Sequence, residues 1–331
     1  MTQELVLRNA RIVLPDEVIE GSVVIRDGRI VDIAAGNASI GEDMEGDYLL
    51  PGLVELHTDH LERHYAPRPK VRWNPIASVL AHDAQIAASG ITTVFDALRI
   101  GLDEDSNLGA EEMRELGNAI ENDSRVKLAS LMDHSPGQRQ FTSIDTYKVY
   151  YMNKTGMTEE DFRQFCEKRV AQSQTYSSRH RNAISDICRE QGIILASHDD
   201  ATMEHVDEAA TQGVRVAEFP TTQEAATASR DAGMQVLMGA PNVVRGGSHS
   251  GNVSARSLAE GNTLDILSSD YIPFSLVQAA FALGETVDHI SLPQAVAMVS
   301  KNPAEAVGLD DRGILEQGRR CLLYTSDAAD E

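Results

Sequence analysis

From Leu50-Pro51-Gly52 onward the chain alternates short apolar runs with stretches of helical periodicity, and no other feature constrains its fold as tightly. The runs lie at Leu53 to Asp59, Ile91 to Leu98, Val126 to Asp133, Gly192 to His198, Arg215 to Phe219, Gln235 to Gly239 and Leu264 to Ser269. Runs this short and this apolar read as strands buried on both faces. Strands that alternate with helices pair in parallel through right-handed crossovers, so the pattern predicts an α/β chain closing into a TIM-like (β/α) barrel. One helix is bracketed by its ends: Asn74 as N-cap, Pro75 at the first helical position and Gly90 just past the last turn. Its buried side is expected at Ile76, Val79, Leu80 and Ala87.

The first fifty residues follow a different period. Glu4 to Val13, Ser22 to Arg26 and Arg29 to Ile33 alternate as strands do, and Asp27-Gly28 between the last two signals a tight type I′ hairpin. The expected organisation is a small β domain over 1–50, a (β/α) barrel over 51–306 and a return to the β domain over 307–331. Residues 142–190 read as an insertion, Tyr-rich and then helical from a Thr158 cap, serving either as a lid over the barrel mouth or as an added surface element.

Composition bounds the function. A chain of 331 residues with 42% hydrophobic residues buries a large aliphatic core. Its formal charge of -22 argues against nucleic acid as a partner, since a polyanion is repelled. Cys166, Cys188 and Cys321 share no metal-type spacing and suggest a reducing, cytoplasmic setting. No stretch approaches a membrane span, no secretion signal opens the chain, and a homo-oligomer is left open.

In (β/α) barrels the chemistry sits where strands end at one face. His57 and Asp59 end the first such run two residues apart, a spacing that sends both side chains to one side of a strand. Imidazole and carboxylate together suit a transition-type divalent ion. Further runs end in Asp133-His134, in His198-Asp199-Asp200, in Glu218 and in Asp270. His57, Asp59, His198 and Asp270 are therefore the candidate metal ligands, with zinc, manganese or magnesium as the ion; Glu218 and His134 read equally well as core polar groups. Glycine-rich turns beside arginine offer cations and backbone N–H groups to a phosphate. The sequence has two, at Gly137-Gln138-Arg139 and at Arg245-Gly246-Gly247-Ser248-His249, which make Arg139, Arg245, Gly246, Gly247 and His249 candidate substrate contacts. Arg68, Lys70 and Arg72 form a third basic cluster. His60 and His64 read as solvated loop residues, His82 and His205 as structural ones.

The run Pro51-Gly52-Leu53-Val54-Glu55-Leu56-His57-Thr58-Asp59, the later Ser268-Ser269-Asp270, and Lys301-Asn302-Pro303-Ala304 with Gly313-Ile314-Leu315 resemble the amidohydrolase superfamily. That resemblance implies a metal-dependent barrel joined to a small β-sandwich built from both chain ends, with Asp270 as proton acceptor. Most members carry His-x-His on the first strand, where this chain has His57-Thr58-Asp59. Longer runs, from Ser130 to Gln140, Ala196 to Thr202, Ala217 to Thr222 and Met238 to Asn252, resemble a branch that hydrolyses a small ribose triphosphate in phosphonate breakdown and releases pyrophosphate.

Two departures accompany the resemblance. Only Glu121-Asn122-Asp123-Ser124-Arg125 separate a helix from the strand at Val126, where the family places a further strand carrying a carboxylate ligand, and then a helix. The barrel is thus expected to lack one β/α unit. After Arg319 the family continues with a strand that completes the sandwich, whereas residues 321–331 resemble a translated sequencing adapter, so the sandwich is expected to be incomplete and the tail foreign to the natural protein. Three functions follow: a metal-dependent hydrolase releasing pyrophosphate, an amidohydrolase acting on a cyclic amide or amine, or an inactive scaffold. The arginines and glycine-rich turns favour the first.

Overall fold

In the computed structural model, residues 4–68, 71–99, 109–120, 126–141, 143–248 and 251–326 are described. They belong to two compact units, Met1–Ile100 with Glu111–Glu121 and Ile266–Glu331, and Gly101–Ala110 with Asn122–Asp265.

The first unit opens with the expected β domain. Glu4–Val13 pairs antiparallel with Val18–Arg26, which pairs antiparallel with Arg29–Ala35. Asp27 and Gly28 both take positive φ, 49° and 73°, as a type I′ hairpin requires. Glu4–Val13 changes the parity of its buried residues between Leu7 and Ala10, where its register with Val18–Arg26 shifts and Asn9 sits at φ 56°. This bulge lets Leu7, Ala10 and Ile12 reach one core with Val23, Ile25, Ile30, Leu49 and Leu315. The incomplete sandwich needs correction, because Leu323–Ser326 forms a strand antiparallel to Tyr48–Pro51. An open strand edge is satisfied by the main chain of its partner, so the pairing does not depend on which side chains the segment carries.

The same unit holds the parallel pair Leu53–Thr58 and Ile91–Asp96, and Ile266–Ser268, whose end meets the first strand through a parallel bridge between Thr58 and Asp270. Pro75–Ala88 is helical between the predicted caps, with the Asn74 side chain accepting from the Ala77 N–H at 3.0 Å. Its buried side is a correction. Ser78, His82 and Ile86 face inward, while Ile76 and Leu80 are 63% and 64% exposed. The four-residue spacing of Ser78, His82 and Ile86 carries the core face here, and apolar content alone pointed to the wrong stripe.

The second unit is a parallel sheet in the order Leu128–Leu131, Ile194–His198, Val216–Glu218 and Gln235–Gly239, with helices between consecutive strands. Its core gathers Leu131, Leu195, Val206, Val214, Ala217 and Met234. The insertion is two helices, Ile144–Thr155 and the 33-residue Glu159–Gln191, the latter started by Thr158 in a capping box with Asp161. The long helix docks on the end of the first strand of this sheet: Ser173 and Ser177 donate to Asp133 Oδ2 at 2.7 and 2.9 Å. No helix among the described residues is long and apolar enough to cross a membrane.

Candidate functional site

In the first unit the site is built around the end of Leu53–Thr58. That strand is buried throughout apart from a half-buried His57, yet it carries a carboxylate, Glu55, at 0% exposure. Its Oε1 accepts the His57 backbone N–H at 2.6 Å and its Oε2 accepts that of Ser269. One buried side chain thus ties the strand bearing His57 to the segment bearing Asp270. Burial pushes the Glu55 carboxyl up to about 7, against the pull of these hydrogen bonds.

Thr58 Oγ1 donates to the Asp270 carbonyl at 2.9 Å, and the Asp59 N–H donates to the same oxygen at 3.2 Å. Asp59 and Asp270 are therefore brought together through their backbones. Asp59 lies past the strand, at φ -99° and ψ 10°, and precedes the helix His60–Tyr65. Strand alternation accordingly does not govern its side chain. One of its oxygens, Oδ1, is buried without a hydrogen-bond partner among the described residues. Asp270 itself takes φ 54°, a left-handed conformation that costs a non-glycine residue of order 1 kcal/mol or more and is retained where surroundings fix it.

In the second unit His198 ends its strand in register with Glu218. His198 Nδ1 lies 3.4 Å from Glu218 Oε2, which also accepts from Ser130 Oγ. Asp199 Oδ2 is 3.1 Å from His134 Nε2 and 3.6 Å from His198 Nε2, and the two rings lie 5.5 Å apart. Ligand-type atoms of His134, His198 and Asp199 fall within 4.8 Å of one another. Asp199 and Phe219, each just past a strand end, take φ 60° and 53°, and the Phe219 ring meets His198 edge-on at 5.2 Å.

The candidate phosphate contacts separate. Arg139 is buried, with Nε on Asp200 Oδ1 at 2.8 Å and its other arm on Glu208. Two carboxylates already engage its charge, which corrects the sequence-based expectation of a guanidinium open to phosphate. Arg245 caps the short helix Ala240–Val244, is exposed, and makes no side-chain hydrogen bond or ion pair among the described residues; Gly246 follows at φ 79° and Gly247 is half-buried. Arg68 is exposed and Arg72 is half-buried. Lys70 and His249 lie outside the described residues.

His60 and His64 also require correction. They belong to the helix His60–Tyr65, His60 is buried, and desolvation with the nearby charges of His64 and His82 pushes its imidazole down to about 4. His205, expected to be structural, accepts the Ala201 N–H through Nδ1 at 3.2 Å. A residue of this strand end that sequence reasoning passed over is Glu55. Its signal was present, a lone carboxylate inside Leu53-Val54-Glu55-Leu56, where a buried charge needs partners.

The fold is of the amidohydrolase type, as its likeness to solved structures shows. A solved amidohydrolase shares it at 16% identity and TM-score 0.57, over 98% of this chain and 92% of that one. An adenosine deaminase from Xanthomonas campestris, solved with bound zinc, does so at 13% identity and TM-score 0.58, over 98% and 85%. No protein-family model matches the chain. It is 43% identical to the alpha-D-ribose 1-methylphosphonate 5-triphosphate diphosphatase of Escherichia coli (strain K12), over 98% of this chain and 96% of that protein. The chain belongs to the family of that diphosphatase.

Proposed function

We propose that this protein hydrolyses alpha-D-ribose 1-methylphosphonate 5-triphosphate to release pyrophosphate, and does so with a divalent ion. The observation that carries the reading is the 43% identity across 98% of the chain. The donor types suit an ion: His57, Asp59 and Asp270 supply one imidazole and two carboxylates, and the buried, unpartnered Asp59 Oδ1 is the kind of atom an ion would satisfy. The sequence reading adds His198. Bound there, a divalent ion supplies a Lewis acid that offsets phosphate charge and makes water more acidic.

The protein's own groups then have defined tasks. Asp270 accepts the proton of the attacking water. The new bond forms at the phosphorus nearest the ribose, the bond from that phosphorus to the bridging oxygen breaks, and pyrophosphate leaves with the electron pair. Arg245 and the Gly246-Gly247 turn meet the triphosphate, a need made sharper by the chain's formal charge of -22. Glu55 positions His57 and Ser269, and Arg139 organises its own strand-end loop through Asp200.

The test is pyrophosphate release by the purified chain supplied with divalent metal. Asp270→Asn should lower kcat by ~100- to 10,000-fold with KM little changed, as loss of a general base does, and oxygen from labelled water should enter the ribose-side phosphate. Label in the pyrophosphate would move the attack to another phosphorus and dismiss Asp270 from this role. A second reading, a scaffold without activity, is favoured by one observation: the alignment to the Escherichia coli diphosphatase runs over 362 positions, more than the 331 residues of this chain, so a stretch of the relative faces no residue here.

A further inference from the structure

The first unit holds another concentration of ligand-type side chains that the proposed hydrolysis does not use. His60 opens the helix His60–Tyr65 and His64 lies four residues on, so both project from one face. His82 projects from the buried side of Pro75–Ala88. The three rings meet, with centroids 5.0 Å apart for His60 and His64, 5.9 Å for His60 and His82, and 6.1 Å for His64 and His82. One ring nitrogen from each lies within 4.8 Å of the others.

His60 is 8% and His82 3% exposed. Nδ1 of His60, Nε2 of His64 and Nδ1 of His82 are all buried without a hydrogen-bond partner among the described residues. Buried polar atoms nearly always find a partner, so three lacking one in a single cluster point to a partner they share. The second nitrogen of His82, Nε2, lies 2.7 Å from Asp96 Oδ1. A carboxylate behind an imidazole is the arrangement that orients metal-ligating histidines, and it leaves Nδ1 of His82 for the ion. Three imidazoles select an ion of the zinc type; magnesium and calcium prefer oxygen donors.

We propose that His60, His64 and His82 bind a zinc-type divalent ion, with Asp96 supporting His82 and a fourth position open to water. The site uses none of the donors His57, Asp59 or Asp270, and it fastens the helix that begins where the first barrel-type strand ends to the helix Pro75–Ala88. The ion here is structural, holding the turn that presents Asp59.

Zinc titration of the metal-stripped full chain tests the assignment. In a His57→Ala, Asp270→Asn background, which takes two donors from the other set, one zinc should still bind per chain. Adding His64→Ala should weaken that binding at least about tenfold, and Asp96→Asn should weaken it by ~10- to 100-fold. Absence of zinc in the first variant, or an affinity indifferent to His64→Ala, overturns the proposal. Should the variants not fold, nitrogen-15 spectra of the histidine rings in the unaltered chain decide: zinc must shift the signals of His60, His64 and His82, and unshifted signals reject the site.

Discussion

Glu55 is an ionisable group fully buried in its strand, and its two oxygens hold the backbone N–H groups of His57 and Ser269. Folding raises its pKa from an ordinary 4.5 to about 7, so the folded state binds this proton more tightly than the unfolded one. The stability linked to it is fully present below about 4.5 and is lost as pH rises through about 7, at up to ~1.4 kcal/mol per pH unit. Urea unfolding of the metal-stripped chain should therefore show a steeper loss of stability across that window than Glu55→Gln does; parallel profiles would remove Glu55 as the source. At this scale the sequence was partly legible. His57, Asp59 and Asp270 each close an apolar run, and the meeting of the Asp59 and Asp270 backbones accords with that placement. Glu55 was passed over because a carboxylate's burial depends on what covers it. His60, His64 and His82 were read as solvated or structural, since a six-residue helix leaves too little periodicity to reveal which face it buries, and the meeting of the rings is a tertiary event.

The long helix Glu159–Gln191 illustrates how an element is held by few polar contacts. Asp133, at the end of its strand, accepts from the Ser135 N–H at 3.0 Å and from the Ser173 and Ser177 hydroxyls. Burial alone would raise the Asp133 carboxyl, but the hydrogen bonds from Ser135, Ser173 and Ser177 together outweigh it and hold it below its ordinary 3.8. A depressed pKa gives stability that is present above 3.8 and lost as pH falls through the folded value. Asp133→Asn should thus destabilise the protein at neutral pH by ~1 to 3 kcal/mol, with the difference from the parent shrinking in acid; urea midpoints at neutral pH and below 3.8 check both halves. A difference that stays constant with pH would assign the loss to packing. Elements with strong local signals were legible: the Asp27-Gly28 hairpin, the Asn74 and Thr158 caps, and the parallel strands to within a few residues. The buried side of Pro75–Ala88 was not, because His82 on that side finds its partner, Asp96, on a separate strand that only the fold brings near.

At the scale of the whole molecule, the chain joins the helix Ala110–Ile120 to the strand Leu128–Leu131 through very few residues, of which 121–125 lie outside the described residues. The family resemblance implies a further strand and helix here, and the alignment to the Escherichia coli relative runs over 362 positions against the 331 residues of this chain. A barrel with eight strands leaves no sheet edge, whereas one deprived of a unit must leave backbone N–H and C=O groups to be satisfied otherwise. The further strand that the resemblance implies would also bring a carboxylate to a bound ion, and one donor fewer in a small set weakens metal binding as well as chemistry. Two chains should therefore be compared: this one, and one with the relative's segment inserted between Ile120 and Val126. The longer chain is expected to hold more divalent metal per molecule, to melt at higher temperature and to release pyrophosphate faster. If both chains turn over the triphosphate at the same rate, the segment is dispensable, and His57, Asp59 and Asp270 must meet the needs of catalysis without its carboxylate. If only the melting temperature rises, the segment serves closure of the fold and the reaction owes nothing to it.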